Sequence, residues 1–149
     1  MKSITVKSPA SVSNLCCAFD ILGMALQEPY DIVQLIARDE PGIHINHSDN
    51  YQLPVDAKLN IAGVALQALM DAYGYKQGFE LNINKQIKPG SGIGSSAASA
   101  AAVVVAANEL FGKPFDKKQL VLFAYLYLVR ILVYSRRHPS KPVKQHRQY

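Results

Sequence analysis

Residues 88–98 have the sequence Lys88-Pro89-Gly90-Ser91-Gly92-Ile93-Gly94-Ser95-Ser96-Ala97-Ala98. Three glycines in five positions allow backbone N–H groups to turn inward without side-chain clashes. A helix is predicted to follow, from about Ser95 to Leu110 with a stop at Gly112, and the two serines can cap its first turn. Backbone donors and the positive end of a helix dipole together favour an anion. Phosphate is the natural occupant.

The glycine segment matches neither of the two commonest phosphate-binding fingerprints. A P-loop needs Lys followed by Ser or Thr after its last glycine, whereas Gly94 is followed by Ser95 and Ser96. The dinucleotide pattern G-x-G-x-x-G fails because position 95 is Ser. The alternative is that the segment is only a flexible turn before a core helix, because an isolated glycine triplet can match a phosphate-binding pattern by chance. The appended Ser-Ser-Ala-Ala, which opens the helix directly, favours a phosphate loop.

Hydrophobic periodicity predicts strands and helices on both sides of this loop. Residues 58–73 are expected to be helical because apolar side chains recur at helical spacing, with Gly74 as a left-handed end. Alternation from Phe79 through Leu81 to Ile83 predicts a half-buried strand. Further elements are expected as strands at 4–7 (ended by Ser8-Pro9), 31–37 and 42–46, and as a helix from 117 onward. This order predicts a mixed α/β layer structure.

The charge is divided unevenly along the 149 residues. Eleven acidic and eight basic residues lie at or before Asp116, a net charge of −3, and the last 33 residues carry the other eight basic residues, a net charge of +8. A mildly acidic body argues against a nucleic-acid-binding domain. The apolar run at 120–134 contains Arg130 and is too short to span a bilayer.

The two cysteines, Cys16 and Cys17, are adjacent and cannot form a disulfide framework. They are expected to be small buried apolar side chains, since no histidine or metal-ligand set accompanies them. Without signal-peptide features, a cytoplasmic protein with no membrane partner is expected.

Two motifs together resemble the GHMP small-molecule kinases. Residues 92–98 are similar to their phosphate loop. The stretch Pro9-Ala10-Ser11-Val12-Ser13-Asn14-Leu15, followed by Phe19-Asp20-Ile21-Leu22-Gly23, resembles the homoserine kinase pattern P-A-[ST]-x-x-N-L-G-P-G-F-D-x-L-G. The resemblance covers residues 1 to about 124. It implies an α+β fold, the GHMP kinase N-terminal domain (ribosomal protein S5 domain 2-like), with a mixed sheet packed against helices and truncated relative to the family.

The resemblance also implies roles for particular residues. The whole segment from Lys88 to Ala98 would wrap the ATP phosphates, and Ser96 would reach Mg²⁺. Asn60 would lie near the adenine, with helix capping as its alternative role. Asn14 and Asp20 would lie in the pocket for L-homoserine, where a carboxylate can pair with the substrate ammonium; a turn or capping role is the alternative for each. No catalytic base is nominated.

The implied reaction transfers a phosphoryl group from ATP to L-homoserine, giving O-phospho-L-homoserine and ADP in threonine biosynthesis. An inactive fragment that retains only a nucleotide-binding loop is one alternative. A kinase for another small polar alcohol is a second, and a protein that binds anionic surfaces through its basic tail is a third. Family members have about twice this length, so an exposed apolar face is expected to favour self-association, a homodimer being one such assembly.

The sequence departs from the family pattern in two places. Cys16-Cys17-Ala18 stands where Gly-Pro-Gly is usual. Leu128 stands where the Mg²⁺-binding glutamate of a segment like F-A-x-x-G-E is expected. We therefore expect residues 1–124 to be an incomplete GHMP domain. Residues 125–149 are expected to be an atypical basic tail that arises from an out-of-frame or prematurely ended reading frame. Sequencing the DNA through codons 120–150 tests this, since adjacent frames without the Gly-Glu and His-Ala-Asp-Asn continuation would contradict it.

Overall fold

The computed structural model describes residues 2–13 and 21–125. Its elements, in chain order, are β1 (Ser3–Ser13), β2 (Gly23–Arg38), β3 (Ile43–His47), α1 (Ile61–Tyr73), β4 (Gly78–Asn84) and α2 (Ser95–Leu110). Residues 117–125 are also helical. Within this part of the chain, no helix is long and apolar enough to cross a bilayer.

The strands form one mixed sheet in the order β1-β2-β4-β3. β2 pairs antiparallel with β1 and β4, whereas β3 pairs parallel with β4. Alternate side chains of β2 and β4, among them Val33, Leu35, Leu81 and Ile83, are buried in one core with apolar residues of α1 and α2. The helices therefore cover one face of the sheet, which confirms the expected α+β domain.

The first two strands are longer than the sequence predicts. β1 was expected to end at Ser8-Pro9 but continues to Ser13, with a register irregularity between Pro9 and Ser11. Proline lacks the N–H that a central strand needs, and β1 tolerates it because it lies at the edge of the sheet. β2 begins at Gly23, before the expected Asp31, because its added residues pair with this extension of β1.

Helix α1 begins at Ile61 and not at the predicted residue 58. The main-chain carbonyl of Asp56 accepts from the amides of Leu59 and Asn60, and its side chain accepts from Lys58 N, so a separate turn precedes the helix. Leu59, expected on the buried stripe, therefore lies outside the helix and is 53% exposed. Gly74 ends α1 at φ 75°, as predicted.

The second half of the domain follows the sequence closely. β4 buries Phe79, Leu81 and Ile83 as expected. α2 has the predicted bounds, Ser95–Leu110, and β3 starts one residue later than predicted. The expected helix from residue 117 is also present.

Candidate functional site

The glycine segment forms a tight loop between β4 and α2. Gly90, Gly92 and Gly94 all have left-handed backbone angles, with φ of 76°, 80° and 75°. Residues with a Cβ rarely adopt this conformation, so the loop requires glycine at these positions. The amide of Ser91 donates to the carbonyl of Lys88 over 3.2 Å and closes the first turn.

The loop is anchored to the edge strand β1. The amide of Ser11 donates to the carbonyl of Ile93 over 3.0 Å. A Cβ placed on Gly94 would lie 2.5 Å from Ser11 Oγ, so the loop passes too close to β1 for a residue with a side chain to fit without a shift. The side chain of Ile93 packs on a small apolar cluster formed by Ala10, Ile87 and Ala98. These contacts fix where the loop leads into α2.

The N-cap of α2 is Gly94, and no side chain caps the helix. The expectation that Ser95 and Ser96 cap it is therefore wrong, because both residues already lie inside the helix. Ser95 is buried and its hydroxyl donates to the carbonyl of Ile87 over 2.9 Å, whereas Ser96 is exposed. The first helical bond runs from Ala98 N to Gly94 O over 2.8 Å. The preceding amides have no acceptor within the helix, and a helix end of this kind can bind an anion.

A cleft of about 200 Å³ lies beside this helix end. One wall is mainly apolar and comes from residues 53–61, and the other comes from Pro89 and the first turn of α2. No carboxylate from the described residues lines it, and no group of three His, Cys, Asp or Glu that could hold a metal occurs among them. The lining residues are His47, Leu53, Pro54, Leu59, Asn60, Ile61, Ile83, Lys85, Pro89, Ser95, Ser96 and Ser99.

Asn60 lies at the cleft and caps α1. Its Oδ1 accepts from Ala62 N over 3.0 Å, which fixes the amide so that Nδ2 donates to Pro54 O at 2.7 Å and faces His47 Nε2 at 3.2 Å. We therefore assign Nε2 of His47 as an acceptor and place its proton on Nδ1, facing Asp49 Oδ2 at 3.4 Å. One side chain thus holds together the helix start and the cleft wall.

Replacing Asn60 with Ala is expected to lower the free energy of unfolding by about 0.5–2 kcal/mol, the usual cost of a lost N-cap. Urea denaturation measures this loss. Asn60→Ser is the matched control, because a serine hydroxyl can still cap α1 while the donors to Pro54 and His47 are lost. An Asn60→Ala variant as stable as the wild type would contradict the capping role.

A buried ion pair between Asp31 and Lys85 lies beneath the loop, and the motifs did not indicate it. Asp31 is fully buried, and Lys85 is 6% exposed. A signal was present in the sequence, since Lys85 continues the inward-facing positions of β4 (79, 81, 83) and Asp31 begins those of β2 (31, 33, 35). A charged residue at such a position indicates a paired, buried role.

Several expectations fall outside the described residues. Asn14, Asp20, Cys16 and Cys17 lie in 14–20, and the tail lies almost entirely in 126–149. Their predicted roles stay predictions. Of the predicted site residues, the structure brings together Asn60, Pro89, Ser95 and Ser96 around one cleft.

Comparison with known proteins supports the same family. The family described as "GHMP kinases N terminal domain" matches residues 60–130. The homoserine kinase of Methanococcus maripaludis is 41% identical over 128 residues, which are 85% of this chain and 42% of that protein. The homoserine kinase of Halobacterium salinarum is 42% identical over 118 residues, 79% of this chain and 37% of that protein. The chain therefore spans about 40% of the length of these relatives.

Solved structures agree in fold. The homoserine kinase of Cytophaga hutchinsonii superposes with a TM-score of 0.83 at 37% identity, covering 88% of this chain and 42% of that one. The mevalonate kinase of Methanococcus jannaschii has a TM-score of 0.70 at 17% identity, covering 87% of this chain and 47% of that one, and so shows likeness in fold only. The sequence match over residues 60–130, the sheet topology and the glycine loop before α2 all agree with a GHMP kinase N-terminal domain.

Proposed function

We propose that this chain is the nucleotide-binding part of an ATP-dependent homoserine kinase. The reaction is phosphoryl transfer from ATP to the hydroxyl of L-homoserine, giving O-phospho-L-homoserine and ADP. The observation that carries the proposal is the loop at 88–98, whose three left-handed glycines lead directly into the open N-terminus of α2 beside a cleft. The sequence similarity of the chain to homoserine kinases supports L-homoserine as the substrate.

In this proposal the triphosphate lies across the loop and the N-terminus of α2. Loop amides and the first amides of the helix donate to phosphate oxygens, and the helix dipole favours the negative charge. Phosphoryl transfer depends mainly on such positioning and charge neutralisation. The apolar side chains of Leu53, Leu59 and Ile61 offer a surface for the adenine ring. Asn60 already uses both amide protons within the protein, so toward adenine it can act only as an acceptor.

Ser96 is the proposed protein ligand for Mg²⁺. Its exposed hydroxyl lines the cleft at the first turn of α2, and a hydroxyl oxygen suits a hard cation. Bound Mg²⁺ would neutralise phosphate charge during transfer. Because no carboxylate from the described residues lines the cleft, phosphate oxygens and water would be its other ligands here. Asn14 and Asp20 stay the proposed contacts of L-homoserine.

ATP binding and turnover are tested separately. We expect Mg²⁺-ATP at a hundredfold excess over its Kd to stabilise the chain by about 2.7 kcal/mol, seen as a rise in melting temperature. Coupled ADP release is then compared for L-homoserine, mevalonate and galactose, with a full-length homoserine kinase as the positive control. Since the chain spans only about 40% of the length of these relatives, turnover by this chain alone is expected to be absent or very low.

The outcomes separate the alternatives. Binding without turnover supports a nucleotide-binding fragment, whereas turnover with L-homoserine establishes the enzyme. Faster ADP release with mevalonate or galactose would instead favour another alcohol substrate. No shift in melting temperature with ATP would contradict the nucleotide site itself. The expected homodimer and cytoplasmic location also stay proposals, and sedimentation velocity tests the first.

A further inference from the structure

The buried pair Asp31–Lys85 is not used in the reaction as proposed, although it lies directly beneath the loop. Removing two charges from water is expensive, and a buried ion pair usually adds little to stability compared with apolar packing. The presence of this ion pair therefore needs an explanation other than stability. The contacts of Asp31 and Lys85 indicate a role in positioning the loop.

All three donors of the Lys85 ammonium are spent on protein acceptors. Nζ contacts Asp31 Oδ2, donates to the carbonyl of Ser95 over 2.7 Å and donates to Ser99 Oγ over 2.9 Å. An ammonium carries only three protons, so none remains for a ligand. Two of the three bonds reach the first two turns of α2, at Ser95 and Ser99.

Asp31 holds the other end of the same segment. Its Oδ1 accepts from the amides of Gln86 and Ile87, each at 3.0 Å, where the chain leaves β4. Its Oδ2 accepts from Lys85 and from Ser99 Oγ, the latter over 3.3 Å. One carboxylate on β2 thus fixes both the entry to the glycine loop and the start of the helix that follows it.

We infer that Asp31 and Lys85 are positioning residues that hold the two ends of the glycine loop, and so aim its amides and the N-terminus of α2 at the phosphates. The ligand part of this inference rests on the proposed function. The positioning part concerns the loop alone and is measurable without nucleotide.

Hydrogen exchange on the nucleotide-free chain tests the positioning part. Asp31→Asn keeps an acceptor for Gln86 and Ile87 but places a second donor, or a neutral oxygen, against Lys85. We expect the amide of Ala98 to exchange at least ~10-fold faster in this variant. The buried amides of Ala106 and Ala107 should exchange at the wild-type rate, because hydrogen exchange reports the opening of each region separately. Glu40→Gln is the matched control, since it removes the exposed pair with Arg38 far from the loop.

A milder variant keeps the test decisive if Asp31→Asn does not fold. Ser99→Ala removes one hydroxyl from the network and leaves both charges paired, so a smaller acceleration at Ala98, about 3-fold, is expected. Exchange at Ala98 equal to that of wild type in either folded variant would overturn the inference.

ATP affinity distinguishes positioning from direct contact. If Lys85 acts through the helix, Asp31→Asn weakens ATP binding at least ~10-fold, and Lys85→Met added to it has little further effect, because the two residues act as a unit. If Lys85 instead binds phosphate, releasing it from Asp31 tightens ATP binding, and that result overturns the inference. A wild-type chain that does not bind ATP, yet shows the exchange effect, would refute the proposed function and leave the positioning role intact.

Discussion

Replacing Gly94 with Ala is expected to weaken ATP binding by about 10- to 100-fold, as measured by calorimetric titration. The backbone at position 94 has a φ of 75°, a left-handed conformation that costs about 1–2 kcal/mol in residues other than glycine. The added Cβ would also lie 2.5 Å from Ser11 Oγ. Gly94 is the N-cap of α2, so relief of either strain moves the loop and the first helical amides together.

Gly74→Ala is the matched control for this prediction. Gly74 has the same φ of 75°, but a Cβ there meets nothing within 4 Å, and it lies at the end of α1. The Gly74→Ala variant should lose a similar amount of stability to left-handed strain, while its ATP affinity stays unchanged. Removing the Ser11 hydroxyl in a Ser11→Ala/Gly94→Ala double variant should recover part of the affinity. Equal ATP affinity in Gly94→Ala and wild type would contradict the phosphate-loop assignment.

Replacing Gly63 with Ala is expected to destabilise the domain by about 1–3 kcal/mol, the usual range for overpacking. Helix propensity alone predicts the opposite, a gain of up to about 1 kcal/mol, because alanine is the better helix former. Gly63 lies in the first turn of α1, where a Cβ would approach the backbone of Ala57 to 2.5 Å at its oxygen and 2.7 Å at its Cα. Backbone atoms cannot rotate away, so the residues before the helix, which include the cleft wall, must shift.

Urea denaturation measures the change for Gly63→Ala, with Gln67→Ala as the control in the same helix. Gln67 is exposed and bonds only to Asp71 one turn later, so its loss should change stability by no more than about 0.5 kcal/mol. A more stable Gly63→Ala variant would mean that the segment before α1 does not lie against the helix.

The elements that the sequence predicts well are those whose signals are local. The bounds of α2 follow from glycines on either side of an alanine-rich run, and Gly74 ends α1 because a left-handed residue suits a helix end. The alternation in β4 identifies its buried face for the same reason. The glycine loop belongs to this class as well, since its left-handed glycines and the start of the helix after them are encoded within eleven residues.

The errors arise where contacts outside the predicted element decide the outcome. β1 continues past Pro9 because it lies at a sheet edge, and strand order is not a local property. The first turn of α2 has no serine cap, because Ser95 bonds instead to Ile87. Leu59 fits the helical period, yet Asp56 forms a turn that delays the helix start.

The sequence by itself indicated the resemblance to the GHMP kinases, the α+β composition and the loop that is proposed to bind phosphate. Only the tertiary structure decided that Asp31 and Lys85, 54 residues apart, meet under that loop. It also decided that Asn60 joins the cap of α1 to the cleft wall. The physical reason is that backbone conformation responds to neighbours along the chain, whereas burying a charge requires partners that only the packed sheet and helices bring within hydrogen-bonding distance.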